Sequence, residues 1–148
     1  MKTILLAALA ALVVAGCGGG GGGGELSKAD LAKKANAICA DYSKQGTSLG
    51  SPDLSDPAKA EDYIRKAQDL ASKQQDELKA LKPDSKVKPD YDKLLDATGQ
   101  ATDLLGQLAD AAADKDQKKG AELVSKLTPL SADVDSAASA VGAKSCAS

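Results

Sequence analysis

Three cysteines, seventeen aspartates and no histidine bound the chemistry open to this chain. Without histidine it lacks the side chain whose ordinary pKa lies near neutrality, the usual agent of general acid–base work and of imidazole metal ligation. A histidine-ligated haem or di-iron centre is excluded. Asp90, Asp92 and Asp96, and again Asp110, Asp114 and Asp116, invite a calcium reading. Neither set fits the twelve-residue EF-hand loop, because the fifth position is Leu94 in the first and Lys118 in the second. Helix caps and solvated faces account for most of the aspartates, so no metal site and no cofactor are expected. No nucleophile elbow is present. The chain reads as a non-enzyme.

The elements that would position the cysteines begin with an apolar leader. Met1-Lys2-Thr3 carries one positive charge, and Ile4 to Val14 is an uncharged apolar run. As a helix this run reaches about 17–20 Å, too short for a hydrocarbon core of about 30 Å but suited to a signal-peptide core. It closes on Val14-Ala15-Gly16-Cys17, followed by seven glycines, Gly18 to Gly24. An aliphatic residue, two small residues and a cysteine resemble the lipobox of bacterial lipoprotein signal peptides. The resemblance implies recognition of Val14, Ala15 and Gly16 by a signal peptidase and removal of residues 1–16. Cys17 would then carry diacylglyceryl and palmitate-type acyl chains. The protein would sit lipid-anchored on the extracytoplasmic face of the cell membrane. Gly18 is not the aspartate associated with inner-membrane retention, so an outer membrane is open in a diderm host. Residues 17–24 would form a lipidated tether spanning roughly 15 Å as a flexible coil.

Removing residues 1–16 from the 148 leaves 132, with 18 basic and 21 acidic side chains. A weakly acidic chain without a basic block offers no footprint for nucleic acid and none for anionic lipid headgroups. The aromatics are Tyr42, Tyr63 and Tyr91, too few to stack bases or sugars. With Cys17 assigned to the anchor, Cys39 and Cys146 remain as a pair in an exported chain, where such pairs usually oxidise. A disulfide is expected, two free thiols being the alternative.

Residues 25–148 form one domain with helical periodicity throughout. The first helix is expected from about Ser27, as N-cap, to Gln45, with Gly46 as its stop. Asp56-Pro57 opens a second whose inner face includes Ala60, Tyr63, Ile64, Leu70, Gln74 and Leu78. Gln74 reads there as a seam-edge residue or register device. Pro89 restarts the pattern for a third helix with a heptad stripe running from Val87 through Tyr91, Leu94, Thr98, Ala101, Leu105 and Leu108. Gly99 and Gly106, seven apart on it, are expected where a neighbouring backbone comes close. A turn over Asp114 to Asp116 with Asp116 as cap, or one long kinked helix, leads into a fourth stripe. That stripe keeps its phase through Pro129 from Leu123 to Val141, which predicts a kink. Four acid–lysine pairs at i,i+4 are expected on the outer faces: Asp30–Lys34, Asp62–Lys66, Asp69–Lys73 and Glu122–Lys126.

Four such helices with short connections make an all-α, antiparallel up-down-up-down four-helix bundle behind the leader and tether. Its core would be mostly Ala, Leu and Val, with the tyrosines at its margins. A Cys39–Cys146 bridge then requires Gly142 to turn the chain and the tail to climb, extended, back along the first helix. The lipobox, Ala35-Asn36-Ala37-Ile38-Cys39, Leu81-Lys82-Pro83 before Tyr91, and the late cysteine together resemble small helical lipoproteins of actinobacteria, which generally lack an assigned activity. Two readings of function follow. One is a non-catalytic interaction module binding an envelope protein through an exposed apolar face, as a monomer. The other is a carrier holding a small apolar ligand between the helices, in a cavity lined by residues such as Leu105 and Leu127.

Overall fold

The computed structural model describes residues 24–53 and 55–147. Four α-helices follow in order: α1 Lys28–Ser48, α2 Pro57–Lys79, α3 Lys88–Ala113 and α4 Gln117–Val141, then a 3₁₀ turn at Lys144–Cys146. Among the described residues there is no strand, only an isolated bridge between Leu26 and Pro83. None of these helices is long and apolar enough to cross a membrane.

The starts follow local chemistry. Ser27 caps α1, its hydroxyl oxygen accepting from the Asp30 N–H, and Asp56 caps α2 ahead of Pro57. Asp116 caps α4 by accepting from the Lys119 N–H at 2.9 Å. Lys115, at φ 57, completes the break, so α3 and α4 are separate helices. Pro129 lies inside a continuous α4. Before α3, the Asp84 carboxylate accepts from the N–H groups of Lys86 and Val87.

Gly46 does not stop α1. The helix continues to Ser48, its last turn supported by the Thr47 and Ser48 hydroxyls donating to the Ser43 and Lys44 carbonyls. One glycine costs a helix about 1 kcal/mol, which neighbouring turns can offset. The chain leaves the helical region at Gly50, φ +76, where an L side chain would be strained.

The bundle is antiparallel, and its densest packing lies at one end. There the start of α1 (Leu31, Ala35, Cys39) meets the end of α2 (Leu78), the start of α3 (Tyr91, Leu94) and the end of α4 (Ala137, Ala138, Val141). Tyr91 is not marginal as expected. It is 1 % exposed, with its hydroxyl donating to the Leu78 carbonyl at 2.7 Å. A buried tyrosine needs a partner for its O–H, and the carbonyls at a helix C-terminus are in surplus. The stretch leading into α1 is pinned to the same end. The Leu26 N–H donates to the Lys82 carbonyl at 2.6 Å, and its carbonyl accepts from the Asp84 N–H at 2.8 Å.

Helix α3 is central, flanked by α2 and α4, and its buried face is therefore broader than one heptad stripe. Ala97, Thr102, Ala109 and Ala111 are buried, whereas Ala101, Leu105 and Leu108 of the expected stripe are half-buried. Gly99 and Gly106 face glutamine side chains rather than a neighbouring backbone. A Cβ at Gly99 would lie 2.5 Å from Gln75 Nε2, and one at Gly106 would lie 2.6 Å from Gln68 Nε2. Two antiparallel helices carrying Gln and Gly at matching seven-residue spacing allow the amides to cross α3 where it has no side chains.

Of the four expected i,i+4 pairs, Asp62–Lys66 (2.6 Å) and Asp69–Lys73 (3.2 Å) form. Lys34 and Lys126 stay out in solvent, as surface pairs gain little over hydration. Arg65 makes a bridge between helices instead, reaching Glu61 on α2 and Asp110 on α3.

Candidate functional site

Residues 142–147 decide where the bundle is open. Gly142 caps α4 at φ +80, and a Cβ there would lie 3.3 Å from that of Ala32. The tail then rises along α1 as a 3₁₀ turn rather than extended, because α4 ends beside Ala32, about a turn higher than a level packing of α1 and α4 implies. Asn36 clamps it on both sides. Its Nδ2 donates to the Gly142 carbonyl at 3.1 Å, and its Oδ1 accepts from the Ser145 N–H at 2.7 Å. Ala143 is fully buried, and Cys146 is disulfide-bonded to Cys39 with Cα atoms 5.0 Å apart. That distance meets the geometric requirement of a bridge.

The tail lies where α1 would otherwise pack on α4, and those two helices barely touch. Beyond it, the groove among α2, α3 and α4 is left without its fourth wall. The result is a half-open cleft of about 260 Å³. A water molecule occupies about 30 Å³ and an engineered cavity of about 150 Å³ binds benzene, so the cleft exceeds solvent size severalfold. Ala71 on α2, Ala101 and Leu105 on α3, and Leu127 and Val134 on α4 line it, with Cys146 at its base. The small side chains of Ala71, Ala101 and Ser131 leave the space, and the leucines make it apolar.

The polar groups on its walls are mostly occupied. The Thr98 hydroxyl donates to the Leu94 carbonyl, the Thr102 hydroxyl to the Thr98 carbonyl, and Gln75 Nε2 to the Leu95 carbonyl. The half-buried Gln74 amide has no hydrogen-bond partner among the described residues. It also borders a second groove of about 340 Å³ between α1 and α2, flanked by Tyr42, Leu49 and Tyr63. The two depressions share Ala71, Gln74 and Cys146. Gln74 thus sits at the edge of the seam, as expected, with its amide bordering both depressions.

The other chemistry-bearing residues are accounted for locally. Asp90 pairs with Lys93, Asp92 with Lys88 and Asp110 with Arg65. Among the described residues, no group of three or more Cys, Asp or Glu side chains could hold a metal ion. Ser85 and Lys88 have the spacing of a Ser-x-x-Lys pair, but Ser85 is in an exposed turn and the Lys88 ammonium is held by both Asp92 oxygens. Burial pushes the Tyr91 phenol well above its ordinary range, which keeps it a neutral hydrogen-bond donor. The Tyr42 phenol is also raised, chiefly by its hydrogen bond to Glu77.

Val14, Ala15, Gly16 and Cys17 lie outside the described residues. Cys39 and Cys146 come together as expected. Leu105 and Leu127, named as the lining that a carrier would need, border a cleft that is half-open rather than interior. Gly142 turns the chain as expected, whereas Asn36 as the clamp of the tail and Gln74 as an amide without a described partner were not singled out by the sequence. Among the described residues the only large apolar side chain counted as exposed is Val124, at 52 %. No family model, curated protein or solved structure matches this chain.

Proposed function

We propose that this chain is a membrane-anchored, extracytoplasmic lipoprotein whose helical domain carries a small apolar ligand, without catalysis. The cleft of about 260 Å³ lined by Leu105 and Leu127 is the observation that carries the ligand reading. It falls just below the about 300–1,000 Å³ of sites for drug-sized molecules, which sets the ligand's size. Predominantly apolar walls with one free amide suit a molecule with an apolar body and a single polar group. An interaction module docking through an apolar face draws less support, because among the described residues Val124 is the one exposed large apolar side chain.

The anchor reading rests on Val14-Ala15-Gly16-Cys17 and the glycines behind it. The disulfide supports an oxidising compartment. Mass spectrometry of the mature N-terminus is expected to show acylated Cys17, and Cys17→Ser is expected to release the protein from membranes. An unmodified residue 17 in membrane-bound protein overturns it.

The carrier reading is tested separately. Native mass spectrometry of protein taken from its host membranes is expected to show a co-purifying small apolar molecule. An apolar naphthalene-based fluorophore is expected to bind purified protein and to be excluded by Ala101→Phe, which fills the cleft. Equal fluorophore binding by the filled variant, with no co-purifying mass, overturns it.

A further inference from the structure

The weakly acidic whole-chain charge conceals a separation along the bundle axis. Three stretches meet at the end where Leu26 is pinned beside Lys82, namely residues 24–34, 79–87 and 142–147. The first brings Lys28, Lys33 and Lys34 and the second Lys79, Lys82 and Lys86, while the tail adds Lys144. All are exposed, and none of them is in an ion pair among the described residues. Against these seven stand Glu25, Asp30 and Asp84, with Asp76 and Glu77 in the last turn of α2, while Asp90 and Asp92 in the first turns of α3 are paired with Lys93 and Lys88. Asp30 accepts from the Ser27 hydroxyl, and Asp84 is engaged with backbone N–H groups. The opposite end, residues 49–62 and 110–122, reverses the balance with eight carboxylates against four cations. No segment of the sequence holds a basic block. Folding assembles one from three places.

We propose that this lysine-bearing end docks on the anionic headgroups of the bilayer that carries the anchor. The proposal rests on the lipoprotein reading for its location, since the glycine run leads directly into Gly24 at this same end. Charge complementarity identifies the occupant. Exposed ammonium groups attract anionic lipid without leaving water, and the attraction is short-ranged, decaying over a Debye length of about 8 Å at physiological salt. On the lipoprotein reading only residues 18–23 separate Cys17 from Gly24, and tethering raises the effective concentration so that a weak contact suffices. Acidic side chains at the far end are repelled by the same surface, which reinforces an upright stance.

The test uses residues 17–148 with Cys17→Ser, so that neither leader nor acyl chain contributes. The described core is built from Leu26 onward, so this chain carries all of it. Co-sedimentation is expected with phosphatidylglycerol vesicles and not with phosphatidylcholine vesicles, and it should fall steeply as salt is raised. The variant Lys28→Glu/Lys33→Glu/Lys82→Glu/Lys86→Glu, all at exposed positions, is expected to weaken binding by about tenfold or more. Lys115→Glu/Lys118→Glu/Lys119→Glu at the far end is expected to leave it unchanged. Absence of phosphatidylglycerol-dependent binding overturns the proposal, as does equal loss from the far-end variant. Retention by soluble polyphosphate with none on vesicles also overturns it. Because Cys17 is removed, each outcome is independent of whether Cys17 is acylated in the native protein.

Discussion

Tyr91 shows how one buried side chain can dominate its surroundings. Its ring fills the centre of the packed end, and its hydroxyl shares the Leu78 carbonyl with the Leu81 N–H. Tyr91→Phe leaves that carbonyl one partner, so its expected cost at neutral pH is about 1 kcal/mol, measured by urea unfolding. The pH dependence carries a sign. Burial raises the folded-state value above the ordinary 10.0, so the contribution is intact below that pH and is lost as pH climbs toward the folded value. Stability of the parent protein should therefore fall more steeply above about pH 10 than that of Tyr91→Phe. Parallel alkaline slopes would rule the mechanism out. The stripe containing Tyr91 was legible in the sequence, but its depth was not. Periodicity says which side of a helix is inward, and only the convergence of four helix ends says how far.

Among the elements, α2 and α3 offer the cleanest comparison. Gly99 and Gly106 each weaken α3 by about 1 kcal/mol relative to alanine. Gly106→Ala need only displace the free end of Gln68, for which no hydrogen bond is described, so it should stabilise by several tenths to about 1 kcal/mol. Gly99→Ala must push Gln75 away from the Leu95 carbonyl, and the lost hydrogen bond should cancel the gain. Thermal melts that rank the two variants the other way would reject this account. The helix starts were readable because Ser27, Asp56-Pro57 and Asp116 act through neighbours in sequence. The end of α1 lies beyond Gly46 because hydroxyls at Thr47 and Ser48 sustain the last turn. The glutamine–glycine seam lay hidden because a lone sequence does not reveal which side chain will cross a bare stretch of helix.

For the whole molecule, the disulfide closes a loop with a sequence separation of 107. The chain-entropy relation puts a ceiling of about 4–5 kcal/mol on its stabilisation. Cys39→Ala/Cys146→Ala should lower the unfolding midpoint in urea accordingly, and it should also loosen the tail. Fluorophore binding in the cleft is then expected to weaken together with stability, because Cys146 forms part of the cleft wall. Unchanged binding in a destabilised variant would separate the tail from the site. The bundle and the bridge were legible from helical patterns and cysteine count. The cleft was legible only as a possibility attached to Leu105 and Leu127. Its cause is the tail standing between α1 and α4, an arrangement that depends on Asn36 reaching Gly142 and Ser145 across more than 100 residues of sequence.

The same bridge has a mechanical consequence. Tension applied between Gly24 and the chain beyond Cys146 runs through the start of α1 as far as Cys39 and leaves across the sulfur pair. Residues 40–145 lie off that line. Pulling on the two ends therefore loads the Leu26 hydrogen bonds to Lys82 and Asp84 and the first turns of α1, while the covalent bridge shields the chain from 40 to 145.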